Sequence, residues 1–100
     1  MVKHVILWTL KDEFSAEEKA NIKKGMKENL EALKGKIAGL LEIKVITEGL
    51  PSSNAEVMLD SSFESVDALK LYATHPDHVA AADGFVRPYT ATRACLDFEA

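Results

Sequence analysis

The segment Val2–Leu10 alternates as a strand does, yet neither of its faces is polar at the centre. His4, Ile6, Trp8 and Leu10 make one face; Lys3, Val5, Leu7 and Thr9 make the other. A strand that is apolar through its middle on both sides needs cover above and below. With 100 residues in all, residues 1–100 read as a single domain, and little chain is left to supply two covering layers.

The remaining elements follow from local chemistry. Ser15-Ala16-Glu17-Glu18 reads as a capping box, in which a serine and the glutamate three residues on satisfy each other's backbone N–H groups. Ile22, Met26, Leu30 and Leu33 then recur at helical spacing, with Lys34-Gly35 as the stop. Gly25 is a costly residue inside a helix and marks a close approach by another element. A second strand spans 40–48, with Leu41, Ile43 and Val45 on one face and Leu40 and Ile46 on the other. The turn-rich stretch 49–54 leads into a third strand over 55–63, and so short a loop predicts an antiparallel hairpin. Ser65 caps a second helix carrying Val66, Leu69, Tyr72 and Ala73 on one side. His75-Pro76 interrupts it, because a residue before proline avoids helical geometry, while Pro76 can open a new turn over 77–83 that ends at Gly84. The last strand, 90–99, is expected to turn Thr92, Ala94, Leu96 and Phe98 inward and Arg93, Asp97 and Glu99 outward.

The order β-α-β-β-α-β is that of the ferredoxin-like α+β fold: a four-stranded antiparallel sheet with two helices on one face. Two helices cover one side of such a sheet, and no residues remain to cover the other. The chain is therefore expected to form a homodimer through the sheet face, closing a dimeric α/β barrel. The alternative is that long side chains snorkel over Val5 and Leu7.

Charge and composition exclude several functions. A formal net charge of −4 argues against nucleic acid, whose phosphates call for a basic footprint. No apolar run approaches the ~20 residues of a membrane span, and Val5 to Trp8 is too short for a signal-peptide core. A lone cysteine, Cys95, cannot form an internal disulfide; it sits among the outward residues of the last strand and offers no clear activation as a nucleophile. A cytoplasmic protein is the expectation. Lys19, Lys23, Lys24 and Lys27 are interspersed with glutamates and read as a solvated helix face.

Reactive side chains concentrate in Tyr72-Ala73-Thr74-His75-Pro76-Asp77-His78. A pocket between helices and sheet, lined by Ile6, Trp8, Met26, Leu30 and Leu59 with His4, Tyr72 and His78 as its polar points, fits a small carbonyl or aromatic ligand. Imidazole is matched to proton transfer near neutrality, and a phenol can polarise a carbonyl. Each residue also has a plainer role. His75 can serve as a helix-break device bonded to nearby backbone, His78 can be satisfied by a backbone carbonyl, and Tyr72 can be core. His75, Asp77, His78 and Asp83 do not fall on one helix face, and neither a cysteine pair nor H-E-x-x-H is present, so no metal and no cofactor are expected.

Three segments carry a family resemblance: Val2-Lys3-His4-Val5-Ile6-Leu7, Phe63-Glu64-Ser65-Val66-Asp67-Ala68-Leu69, and Tyr72-Ala73-Thr74-His75-Pro76-Asp77-His78-Val79, with Leu96-Asp97-Phe98 at the end. Together they resemble the stress-responsive A/B barrel (Dabb) family across essentially the whole chain. The resemblance implies a dimeric ferredoxin-like barrel. It also brings in plant polyketide cyclases of that family, which close a chain by aldol condensation with a tyrosine and a histidine. By that likeness His78 would be the general base, Tyr72 would orient the substrate carbonyl, and His4 would line the pocket. The sequence departs from those enzymes in carrying Ala80-Ala81-Ala82 where they hold a larger aromatic, and Trp8 where they hold an aliphatic residue. That departure bears on the substrate more than on the pocket itself.

Three classes of function follow: cofactor-free acid–base chemistry on a small carbonyl compound (aldol closure or isomerisation), a non-catalytic stress-response or interaction protein, and, by fold analogy alone, a cofactor-free monooxygenase.

Overall fold

The computed structural model describes residues 1–100. Its elements are β1 (Val2–Leu10), α1 (Ala16–Glu31), β2 (Leu40–Ile46), β3 (Val57–Phe63), α2 (Val66–Thr74), α3 (Pro76–Phe85) and β4 (Thr90–Glu99). The four strands form one sheet in the order β2-β3-β1-β4, every neighbouring pair antiparallel. This is the ferredoxin-like α+β arrangement. No helix is long and apolar enough to cross a membrane.

Local signals set most boundaries. Ser15 caps α1: its side chain accepts from the Glu18 N–H at 3.1 Å, and Glu18 accepts from the Ser15 N–H at 2.9 Å. The Glu18 carboxyl is held below its usual range by those backbone and side-chain bonds from Ser15. Helix α1 ends at Glu31, earlier than Lys34-Gly35, and Leu33 and Ile37 are buried from the turns that follow. A Cβ on Gly25 would stand 3.3 Å from the Phe85 ring, so the interior glycine does mark an approach, that of α3. Ser65 caps α2 by accepting from the Ala68 N–H at 3.1 Å. His75 closes α2 and opens α3; its Nδ1 accepts from the Asp77 N–H at 3.1 Å, the backbone bond expected of a helix-break residue. Gly84 does not stop α3, which runs one residue further to Phe85.

The core lies between the helices and one sheet face, and includes Ile6, Trp8, Leu10, Met26, Leu30, Val45, Leu59 and Tyr72. Three expectations about facing are corrected. A bulge between Leu40 and Glu42 shifts the register of β2, so that Leu40 joins Ile43 and Val45 in the core while Leu41 turns out. On α2 the buried residues are Ala68 and Tyr72, and Val66 is exposed. The third correction concerns β4. Arg93, Cys95 and Asp97 pair with Trp8, Ile6 and His4, and so lie on the helix side of the sheet. Thr92, Ala94, Leu96 and Phe98 lie on the open side, where Ala94 and Leu96 stand opposite Leu7 and Val5. Alternation along β4 was legible; its direction was not, because the apolar residues of this strand belong to the face that no helix covers.

The two sheet edges are treated differently. On β2 the Val45 N–H donates to a Glu31 carboxylate oxygen at 2.9 Å, and the Lys27 ammonium donates to the Val45 carbonyl and to Glu31, both at 2.8 Å. Lys27 and Glu31 thus leave the solvated helix face to clasp an edge strand. Helix α2 packs on β1, β2 and β3, so the helix-side face of β4 borders an open groove.

Candidate functional site

Three elements bring the polar candidates together. His4 comes from the centre of the sheet, Tyr72 from the buried side of α2, and His78 from the first turn of α3 just past Pro76. The Tyr72 and His78 rings lie tilted, with centroids 4.2 Å apart, and Tyr72 meets His4 edge-on at 6.1 Å and Phe63 at 4.9 Å. A cavity of about 150 Å³ adjoins them, walled by Ile6, Trp8, Leu30, Leu59 and these three side chains. Met26 is fully buried but does not line it. The cavity is the size of a single small ring.

Each polar group is in a distinct electrostatic state. The His4 Nδ1–H donates to a carboxylate oxygen of Asp97, directly across the ladder on β4. His78 donates from Nδ1 to the Ala73 carbonyl at 3.2 Å, which leaves Nε2 without a protein partner. Desolvation holds the His78 imidazole below its ordinary value, helped by the charges of Arg87, His4 and Arg93 and opposed by the Ala73 bond. The neutral ring is the form that can accept a proton. Tyr72 is 1% exposed; burial pushes its phenol well above the usual range, and its hydroxyl has no hydrogen-bond partner. That hydroxyl has almost no accessible surface.

Several residues here were not read from the sequence as part of a site. Arg87 and Arg93 line the cavity, Arg87 paired with Asp83 and Arg93 without a carboxylate partner. Cys95 and Asp97 flank His4, and partial desolvation together with the neighbouring Asp97 raises the thiol of the otherwise exposed Cys95, which argues against a nucleophile. The signal that could have found them is the i, i+2 spacing of Arg93, Cys95 and Asp97 beside the strand that carries His4. A groove of about 600 Å³ shares His4, Leu69, Ala73 and Arg93 with the cavity and runs between α2 and β4.

A βαββαβ sheet with helices over one face and a cavity beneath them defines a ferredoxin-like α+β module. Residues 2–100 match the family model of the Stress responsive A/B Barrel Domain, and the chain belongs to that family. A dimeric ferredoxin-like protein of unknown function from Bacteroides fragilis is 39% identical, with a TM-score of 0.91 over 98% of this chain and 94% of its own. A Dabb family protein from Mesorhizobium loti is 21% identical, with a TM-score of 0.75 over 99% of this chain and 95% of its own. A hydroxynitrile lyase from Passiflora edulis is 19% identical, with a TM-score of 0.72 over 97% of this chain and 90% of its own. Likenesses at these two lower identities speak to fold alone. No curated protein matches the sequence.

Proposed function

We propose that the cavity binds a small carbonyl compound of about one ring and acts on it by cofactor-free acid–base chemistry. In this reading His78 takes a proton from the carbon next to the carbonyl through Nε2. Tyr72 then orients the carbonyl and stabilises the enolate oxygen as it forms. The observation that carries the reading is the Tyr72 hydroxyl, buried without a partner beside an imidazole whose outer nitrogen is also unengaged. Buried polar groups are nearly always satisfied, so an orphan next to a cavity has room for a partner, which a ligand carbonyl would supply. Ala73 supports the role of His78 by fixing the tautomer that leaves Nε2 as the acceptor. His4, Ile6, Trp8, Leu30 and Leu59 shape the space, and Arg93 at its border meets an anionic end of the ligand. Aldol closure and isomerisation both begin with this proton abstraction.

The test follows hydrogen–deuterium exchange at the methyl group of acetophenone in D₂O by NMR. The protein is expected to accelerate exchange over buffer, His78→Ala to abolish the acceleration, and Tyr72→Phe to reduce it by on the order of 100-fold. Equal acceleration by His78→Ala would remove the base; binding of acetophenone without exchange would establish the non-catalytic reading instead.

The functional unit in this proposal is a homodimer with the open sheet faces packed together. Its support is the uncovered apolar surface of Val5, Leu7, Ala94, Leu96 and Phe98, together with the dimeric state of the Bacteroides fragilis relative.

A further inference from the structure

We propose that His4, Cys95 and Asp97 form a binding site for a divalent transition metal, with zinc the metal their donor set fits best. Cys95 and Asp97 are i, i+2 on β4 and present their side chains to one face, and His4 is the cross-strand partner of Asp97 on β1. One nitrogen, one sulfur and one oxygen donor therefore converge from two rigid, hydrogen-bonded strands, all within 4.8 Å of one another.

Two of the three separations are those a small metal ion needs. Zinc bonds of ~2.0–2.3 Å at tetrahedral angles set donor-to-donor edges of about 3.3–3.6 Å. Cys95 Sγ stands 3.7 Å from His4 Nδ1 and 3.5 Å from an Asp97 carboxylate oxygen. The third edge is shorter, because the His4 N–H bonds directly to Asp97. Asp97 is half exposed, and metal binding requires it to draw back from His4 by a rotation of its side chain. His4, in contrast, is held by its edge-on contacts with Phe63 and Tyr72, so the nitrogen donor is preorganised.

In the metal-free protein the Nδ1–H of His4 and the thiol of Cys95 both point at one oxygen of Asp97. The metal takes the place of those two protons. The imidazole keeps its proton by carrying it on Nε2, the thiol releases one proton to solvent, and no redox change occurs. Mixed N, S and O donors select a borderline ion over magnesium or calcium, which favour all-oxygen sets. The bound thiolate, Asp97 and Glu99 outweigh Lys70 and Arg93, the cations that line the same groove. The fourth coordination position faces that groove, where Lys70 and Arg93 favour an anionic or water-derived ligand.

This inference shares His4 and Arg93 with the acid–base reading but does not rest on it, and its test reads metal rather than activity. Reduced full-length protein is titrated with Co²⁺ and followed by absorption. One equivalent per chain is expected to produce a near-ultraviolet thiolate-to-cobalt band and the visible bands of a tetrahedral ion, both erased by Zn²⁺. Cys95 is exposed, so Cys95→Ser leaves packing intact while abolishing the near-ultraviolet band; Asp97→Asn is expected to weaken binding on the order of tenfold or more. Absence of the thiolate band in the wild type, or unchanged Co²⁺ affinity in both variants, would overturn the site.

Discussion

Tyr72 carries a hydroxyl that the fold neither exposes nor satisfies. Removing such a group spares a desolvation cost, so Tyr72→Phe is expected to raise the stability of the ligand-free protein by about 1 kcal/mol while lowering the proposed carbonyl activity. Urea denaturation of the two forms checks the first half of that pair; a less stable Phe variant would mean that the hydroxyl has an unrecognised partner. His78 gives a pH signature. Its folded value lies below the ordinary 6.5, so above that pH both folded and unfolded chains hold the neutral ring and its contribution is complete. As pH falls below 6.5 the unfolded chain gains the proton first, and stability declines until the folded value is passed. Denaturation midpoints are expected to fall between pH 7 and pH 5, and to fall less in His78→Gln. At this scale Tyr72, His78 and His4 were legible because reactive types clustered on an otherwise apolar pattern. Arg93, Cys95 and Asp97 were not, because hydropathy assigned the apolar residues of β4 to the interior.

Elements were legible wherever a local interaction defines them: the Ser15 box, the Ser65 cap, the break at His75-Pro76 and the hairpin of β2 and β3. The bulge after Leu40 was hidden, since one extra residue in a strand has no signature in an apolar run such as Leu40-Leu41. The connection that leads into β2 depends on two glycines of unequal importance. Gly35 and Gly39 both have positive φ, 85° and 84°. A Cβ on Gly39 would lie 2.6 Å from the Ala68 Cβ on α2, whereas one on Gly35 would meet nothing. Gly39→Ala is therefore expected to cost about 2–4 kcal/mol, strain and overlap together, and Gly35→Ala only about 1 kcal/mol. Chemical denaturation of both variants measures the difference, and equal losses would show that Ala68 yields.

For the molecule as a whole, the sheet that bears the candidate site on one side carries on the other an uncovered apolar strip along β1 and β4, beside the Lys3–Asp60 ion pair. Leu7, Leu96 and Phe98 are 41%, 65% and 43% exposed there, although β1 is a central strand. The apolarity of Val2–Leu10 on both faces makes this exposed strip legible in the sequence, since it follows from alternation alone. Leu7→Lys combined with Leu96→Lys is expected to turn a dimer into a monomer in sedimentation equilibrium with helix content retained. A wild-type protein that sediments as a monomer would dismiss the face-to-face assembly.

The clasp of Lys27 and Glu31 on Val45 has a dynamic consequence. The Val45 amide has no strand partner, so its exchange with solvent waits on release of the Glu31 carboxylate at the last residue of α1 rather than on fraying of β2 alone. Its protection will follow the order of the C-terminal turn of α1. An edge residue thereby becomes a reporter of how firmly that turn holds the sheet.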